Sequence, residues 1–249
     1  MTSQETISGD TFEQTLAERF GKTFSEPEFV EMLSRRVGAL GFHADNTITA
    51  IGCCRDELCR SLMNSVRGHW GNPFKLTSLA GLIFAGKTGF GAAQAHSPLG
   101  ADGKPRYLFI AMTHIGIGAD GTIGSCRRPG IEQDSNACGA LVSFHGELPW
   151  TKGEPELIED DLEQSLLRRR LLRQLEEGAD PDLVELTKAA HDAIAADLTD
   201  IMQKTAAADS DYIVASGIQV HDPRPWHPNR VFVGPIHGRV GGAIQNITL

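Results

Sequence analysis

The pattern of apolar and polar positions divides the chain into helical and strand-like segments. Apolar residues recur at helical spacing in residues 1–40 and again in residues 156–206. Between and after them lie β-branched or apolar runs, which predict strands at residues 47–51, 107–113, 211–221 and 230–235. The mixture of both kinds of segment indicates an α/β protein.

Capping residues predict where some of the helices begin. Ser25 precedes Glu-Pro-Glu, so we expect it to cap the second N-terminal helix. Within residues 156–206, Gly178 is expected to end one helix, with Asp180 and Pro181 at the cap and first position of the next. This pattern predicts a helical hairpin, for which we expect a role in packing or dimerisation.

Three residues that can bind a metal lie at the ends of predicted elements. Cys54 follows the first strand, His114 follows the second apolar run, and Cys138 is expected near the start of a helix capped by Ser135 or Asn136. In open α/β sheets, ligands bind outside the carboxyl ends of the strands. Two thiols and one imidazole give the ligand count of an open catalytic zinc site.

Other histidines and cysteines are weaker candidates. His96 could replace His114, but only His114 ends a strand that would lie beside the first. Three C-terminal histidines have no thiol or carboxylate at ligand spacing, so we expect surface or packing roles for them: His221, His227 and His237. Cys53 is expected to be a small buried apolar residue, and Cys126 is assigned no ligand role.

A Gly-rich segment matches the P-loop pattern, in which backbone N–H groups surround phosphates. The matching residues are Gly81, Gly86, Lys87 and Thr88. The context opposes this interpretation, because residues 82–85 are apolar and no buried strand is predicted before them. A histidine also stands at the end of the next strand, where an acid would bind Mg²⁺.

Composition and charge exclude several classes of partner. The chain has 249 residues, 41% of them hydrophobic, and a formal net charge of −9, which argues against a nucleic-acid or anionic-membrane surface. We find no apolar run of membrane-spanning length. Residues 1–6 are polar, without the features of a secretory signal. The five cysteines fit free thiols in a reducing compartment, so we expect a cytoplasmic location.

Four segments in one order resemble the low-CO2-inducible B/C proteins, a divergent branch of the β-carbonic anhydrases: Cys54–Glu57, Gly81–Gly91, Ala111–His114 and Ala137–Ala140. The resemblance covers about residues 43–148. It implies a β-carbonic-anhydrase-like fold over residues 1–249: a single domain with a mainly parallel central sheet flanked by helices, with the 156–206 hairpin as an insertion. It also implies a homodimer.

The resemblance further implies Zn²⁺ on Cys54, His114 and Cys138. β-Carbonic anhydrases usually carry the ligand histidine shortly before the second cysteine, and this chain has none there. The preceding strand must then supply it. The Gly-Lys-Thr-Gly-Phe-Gly segment is expected to form a tight loop beside the zinc, with Phe84 and Phe90 lining a small apolar pocket.

Asp56 matches the aspartate of the Cys-x-Asp pattern, which pairs with an arginine in β-carbonic anhydrases. That arginine normally stands two residues later, where this chain has Leu58. Arg60 and Arg55 are the candidates to replace it. We prefer Arg60, because it lies four residues after Asp56 on the predicted helix, which Asp56 is also expected to cap.

These observations predict a carbonic anhydrase that interconverts CO2 and bicarbonate through a zinc-bound hydroxide. One alternative is a catalytically silent zinc protein that binds CO2 or bicarbonate. Another is a P-loop nucleotide-binding enzyme. Hydrolysis of CS2 or COS on the same scaffold is a related possibility.

Overall fold

The computed structural model of the protein describes residues 9–128, 130–150, 153–224 and 226–249. The polar stretch at residues 1–6 lies outside these ranges. Within them a seven-stranded mixed sheet is covered by helices on both faces. The α/β fold is therefore confirmed, as a single domain with a mainly parallel central sheet.

Helices and strands follow one another along most of the described chain. The α-helices are α1 Gly9–Phe20, α2 Glu26–Gly38, α3 Arg60–Trp70, α4 Gly86–Ala95, α5 Gly139–Glu147, α6 Leu162–Leu172 and α7 Leu183–Thr205. The strands are β1 Phe24–Ser25, β2 Thr47–Gly52, β3 Phe74–Lys75, β4 Arg106–Gly116, β5 Ser125–Cys126, β6 Ser135–Asn136, β7 Asp211–His221, β8 Arg230–Val240 and β9 Ala243–Asn246. None of the described helices has the length and apolar character needed to cross a membrane.

The order of strands in the main sheet is β1-β8-β7-β4-β2-β3, and β9 pairs with β8. Strands β3, β2, β4 and β7 are parallel, whereas β8, β1 and β9 add antiparallel pairs at one side. β4 is central: it pairs with β2 from Thr47 to Gly52, and over its whole length with β7. The carboxyl ends of β2, β4 and β7 therefore meet at one edge of the sheet.

Alternating residues of β4 pack into two different cores. Tyr107 and Phe109 belong to a cluster that includes Leu186 and Ile194 of α7, whereas Leu108 and Ile110 pack with residues of α2 and α3. A strand buried on both faces carries apolar side chains in both directions. This is why residues 107–113 form a continuous apolar run rather than an alternating one.

The predicted caps agree with the structure at α2 and differ at α7. Ser25 caps α2 in a reciprocal capping box with Glu28. The two helices of the hairpin are present, but α6 ends at Leu172, and Asp182 rather than Asp180 caps α7. Asp182 takes this position because its carboxylate accepts from Glu185 N at 2.9 Å, while the Glu185 carboxylate accepts from Asp182 N at 2.8 Å.

Candidate metal centre

The three predicted donors come together at the carboxyl edge of the parallel strands. Cys54 follows β2, His114 lies near the end of β4, and Cys138 occupies the N-cap position of α5. Their donor atoms all lie within 4.8 Å of one another. Each residue is at most 5% exposed. The predicted caps of α5 are wrong, because Ser135 and Asn136 form β6 instead.

The spacing of the donors suits a tetrahedral metal. The two sulfur atoms, Cys54 Sγ and Cys138 Sγ, are 3.8 Å apart. Two thiolates, each about 2.3 Å from a tetrahedral zinc ion, lie about 3.8 Å from one another. His114 Nε2 is buried and has no hydrogen-bond partner among the described residues. A buried nitrogen without a partner is costly, so this atom is available to a metal.

One of the two thiols ionises more readily than the other. The hydrogen bond from Cys138 lowers the pKa of Cys54, and this effect outweighs burial, which acts in the opposite direction. The same contact raises the pKa of Cys138, and burial raises it further. The pair therefore shares one proton. A thiolate is the form that binds metals, so Cys54 is prepared for binding in advance.

His221 is the residue that the sequence interpretation missed. It ends β7, and its Nε2 lies 2.8 Å from His114 Nδ1. Burial lowers the pKa of His221 to about 3, so the ring is neutral. The surface or packing role expected for His221 is therefore incomplete, because it contacts the predicted ligand. The sequence shows a histidine near the carboxyl end of each of two predicted strands, but it does not show that these strands are neighbours.

A second donor group shares His114 with the first. Cys59, His114 and His221 also place donor atoms within 4.8 Å of one another. The Nδ1 of His114 is already engaged by His221, whereas its Nε2 is not. Soft metals also prefer two thiolates to one. The group formed by Cys54, His114 and Cys138 is therefore the stronger candidate.

Asp56 is paired with an arginine that the sequence interpretation did not consider. Arg128 contacts both oxygens of the Asp56 carboxylate, at 2.9 Å each. The same guanidinium donates to Ser135 Oγ at 2.8 Å and to the Asn136 carbonyl at 3.0 Å. Burial acts to raise the pKa of Asp56, but the hydrogen bonds from Arg128 and from Leu58 N–H outweigh it and lower the pKa to about 2. Asp56 is therefore ionised.

The predicted pairing of Asp56 with Arg60 or Arg55 is wrong. Arg55 pairs with Glu163, and Arg60 is exposed at the start of α3. Helical i,i+4 spacing does not apply, because Asp56 caps a short 3₁₀ turn that precedes α3. Its side chain turns back to accept from Leu58 N at 3.0 Å. The carboxylate is held instead by Leu58 N and by Arg128.

The prediction of a tight loop in the Gly-Lys-Thr-Gly-Phe-Gly segment is wrong, because residues 86–91 form the first part of α4. The close approach to the backbone beside the cluster occurs earlier, at Gly81. Gly81 has a φ of +77°, and a Cβ there would lie 2.2 Å from the Met112 carbonyl oxygen. Leu82 and Ile83 are buried, and α4 follows them. This arrangement opposes the P-loop interpretation, because α4 follows a 3₁₀ turn and core-packed side chains rather than a buried strand.

Phe84 and Phe90, which were predicted to line one apolar pocket, lie in different surroundings in the structure. Phe90 is fully buried and stacks on Phe109 with ring centroids 4.9 Å apart, so it belongs to the core. Phe84 lines a cavity of about 310 Å³ together with Ser78. His96 is exposed at the end of α4, outside the donor cluster.

A cleft of about 1070 Å³ lies next to the candidate site. Arg128 and His221, which contact Asp56 and His114, both contribute to its wall. Arg60 and Asn229 also line it. The cleft therefore reaches Arg128 and His221, although His114 and His221 are at most 3% exposed.

Comparison with known proteins identifies the family. The family model for limiting CO2-inducible proteins B/C beta carbonic anhydrases matches residues 14–238. No curated protein matches the chain. The crystal structure of limiting CO2-inducible protein LCIB is 27% identical with a TM-score of 0.78, over 94% of this chain and 97% of that chain.

Two further solved structures extend the match. PtLCIB4, described as a homolog of LCIB, is 26% identical with a TM-score of 0.80, over 95% of this chain and 100% of that chain. A mutant of PtLCIB4 is 25% identical with a TM-score of 0.82, over 96% of this chain and 99% of that chain. The chain belongs to the family of limiting CO2-inducible proteins B/C beta carbonic anhydrases.

Proposed function

We propose that the protein is a zinc-dependent carbonic anhydrase that interconverts CO2 and bicarbonate. The observation that carries this proposal is the donor set itself: two sulfurs 3.8 Å apart, beside a buried His114 Nε2 that has no hydrogen-bond partner in the described part of the chain. Cys54, His114 and Cys138 would hold the ion. When bound, Zn²⁺ supplies a Lewis acid that lowers the pKa of water toward neutrality. The family description supports the same reaction.

Asp56 would orient the water that reacts. Its carboxylate is ionised and therefore accepts hydrogen bonds without donating any. The two contacts from Arg128 fix its direction, since a bidentate pair restricts both partners. Arg128 would thus serve the role that the sequence interpretation gave to Arg60 or Arg55.

A silent zinc protein that binds CO2 or bicarbonate is the second candidate. Burial of all three donors favours it, because at most 5% of each residue is exposed and substrate needs access to the metal.

The homodimer and the cytoplasmic location expected from the sequence stay predictions.

Stopped-flow CO2 hydration with an indicator dye tests the proposal. Zinc-loaded protein should show turnover above buffer that is greater at pH 9 than at pH 7, because the nucleophile is a deprotonated water. The same protein treated with a chelator is the control and should return to the buffer rate. Stoichiometric zinc without turnover at either pH would contradict hydratase activity and leave the silent protein. CS2 and COS, offered under the same conditions, test the related chemistry.

A further inference from the structure

The ring of His221 packs against the ring of His114. Strands β4 and β7 are parallel neighbours in which Gln219 faces His114, so His221 lies two residues further on the same face of the sheet. The two rings meet edge to face, with centroids 5.1 Å apart. Both residues are buried, so water does not compete for the contact between them.

This contact bears on which nitrogen of His114 carries its proton. A neutral imidazole has one N–H and one nitrogen lone pair. If His114 Nδ1 donates to His221 Nε2, the lone pair of His114 is on Nε2, the nitrogen for which the described residues provide no partner. If the donation runs the other way, His114 Nε2 carries the proton and cannot bind a metal. Only the first arrangement is compatible with the donor cluster.

The backbone around His221 is firmly held. β7 is buried throughout and pairs with β4 on one side and β8 on the other. Gln219 donates to the buried carboxylate of Glu26 at 2.7 Å, and Ser61 and Ser65 donate to the same carboxylate. This network joins β7 to α2 and α3, so His221 rests on a rigid part of the fold.

We infer that His221 is a positioning residue for the metal centre: it holds the ring of His114 in the orientation and tautomer that metal binding requires. The inference rests on the proposed function and extends it to a residue outside the donor set. Residues that accept the second N–H of a histidine ligand contribute 10- to 100-fold to metal affinity in other proteins.

Zinc affinity of two variants tests the inference. His221→Phe keeps a ring of similar size but removes the acceptor, and should weaken zinc binding roughly 10- to 100-fold in competition with a chromophoric chelator. His221→Gln returns a polar acceptor near the position of Nε2, and should recover part of that loss. His237→Phe is the control, because His237 lies on β8 opposite Val214 and contacts Thr199 of α7. It should leave the affinity unchanged within about threefold, because this side chain contacts Thr199 instead of His114.

The native chain provides a test that needs no variant. Imidazole ¹H–¹⁵N spectra of the metal-free protein should show His114 protonated at Nδ1 and unprotonated at Nε2. The opposite tautomer would overturn the inference, even if neither variant folds. Unchanged zinc affinity in folded His221→Phe would overturn it as well, and so would equal losses in the Phe and Gln variants.

The inference and the proposed function can fail separately. A native chain that binds zinc but does not hydrate CO2 removes the proposed function and leaves the role of His221 intact. Unchanged zinc affinity in His221→Phe, together with full hydratase activity of the native chain, removes the role of His221 and leaves the proposed function intact. A native chain that binds no zinc overturns both.

Discussion

The three candidate metal donors and the Asp56–Arg128 pair are neighbours that are built in different ways. Cys54 and His114 are placed by adjacent parallel strands and are at most 5% exposed. Asp56 and Arg128 lie outside the strands, and their side chains are 11% and 14% exposed. The sheet fixes Cys54 and His114, whereas hydrogen bonds fix the Asp56–Arg128 pair. Metal binding and turnover should therefore respond to different mutations.

Removal of one donor should have the largest effect. Cys138→Ala leaves two ligands, so we expect zinc affinity to fall by roughly a thousandfold or more and hydration to fall to the buffer rate. Zinc content after dialysis and stopped-flow rates measure both. Cys126→Ala is a matched control, because Cys126 is a buried thiol that contacts Ser135 instead of the donor cluster. Full zinc content in Cys138→Ala would refute the donor set.

A change in the pair should lower turnover without loss of metal. Arg128→Lys replaces a planar two-point contact with a single charge, so Asp56 loses its fixed direction. We expect kcat/KM to fall roughly 100-fold at unchanged zinc content. Arg60→Lys is the control and should stay within about twofold, since surface changes have small effects. Equal losses in both variants would argue against a special role for Arg128.

Lowering the pH should remove the contribution of the Asp56–Arg128 pair to the free energy of unfolding. The pKa of Asp56 is about 2 in the folded chain, below its ordinary value of 3.8, so the pair stabilises the fold above that ordinary value and this contribution disappears as pH falls toward 2. After allowance for solvent screening, we expect about 1 kcal/mol.

Urea unfolding of metal-free protein between pH 5 and pH 2 measures this effect. Asp56→Asn cannot be titrated, so the stability difference between it and the native chain should shrink as pH falls. A difference that stays constant over this range would show that the pair does not stabilise the fold through its charge.

The proximity of the three candidate donors could be predicted from sequence because each lies near the end of a strand or the start of a helix. A β-branched run that stops before Cys54 and an apolar run that stops at His114 are local signals, and parallel pairing brings such ends together. The same reasoning extends to His221 at the end of β7. Its link to His114 was missed because the order of strands in the sheet cannot be read from local pattern.

The partner of Asp56 could not be predicted in this way. Arg128 lies 72 residues from Asp56, in a segment after β5 with no periodic pattern. The assumed helical spacing between Asp56 and Arg60 failed because a 3₁₀ turn begins at Glu57 before α3 starts. Local spacing identifies contacts within one regular element, and this pair connects two irregular ones.

The three donors come from separate parts of the chain, and this has a consequence for folding. Cys54, His114 and Cys138 meet only after β4 has paired with β2 and α5 has formed. An unfolded chain offers no such arrangement, so an ion that binds here favours the folded state by mass action, by about 2.7 kcal/mol at a hundredfold excess over Kd. The supply of metal would then determine the folded fraction of the protein as well as its activity.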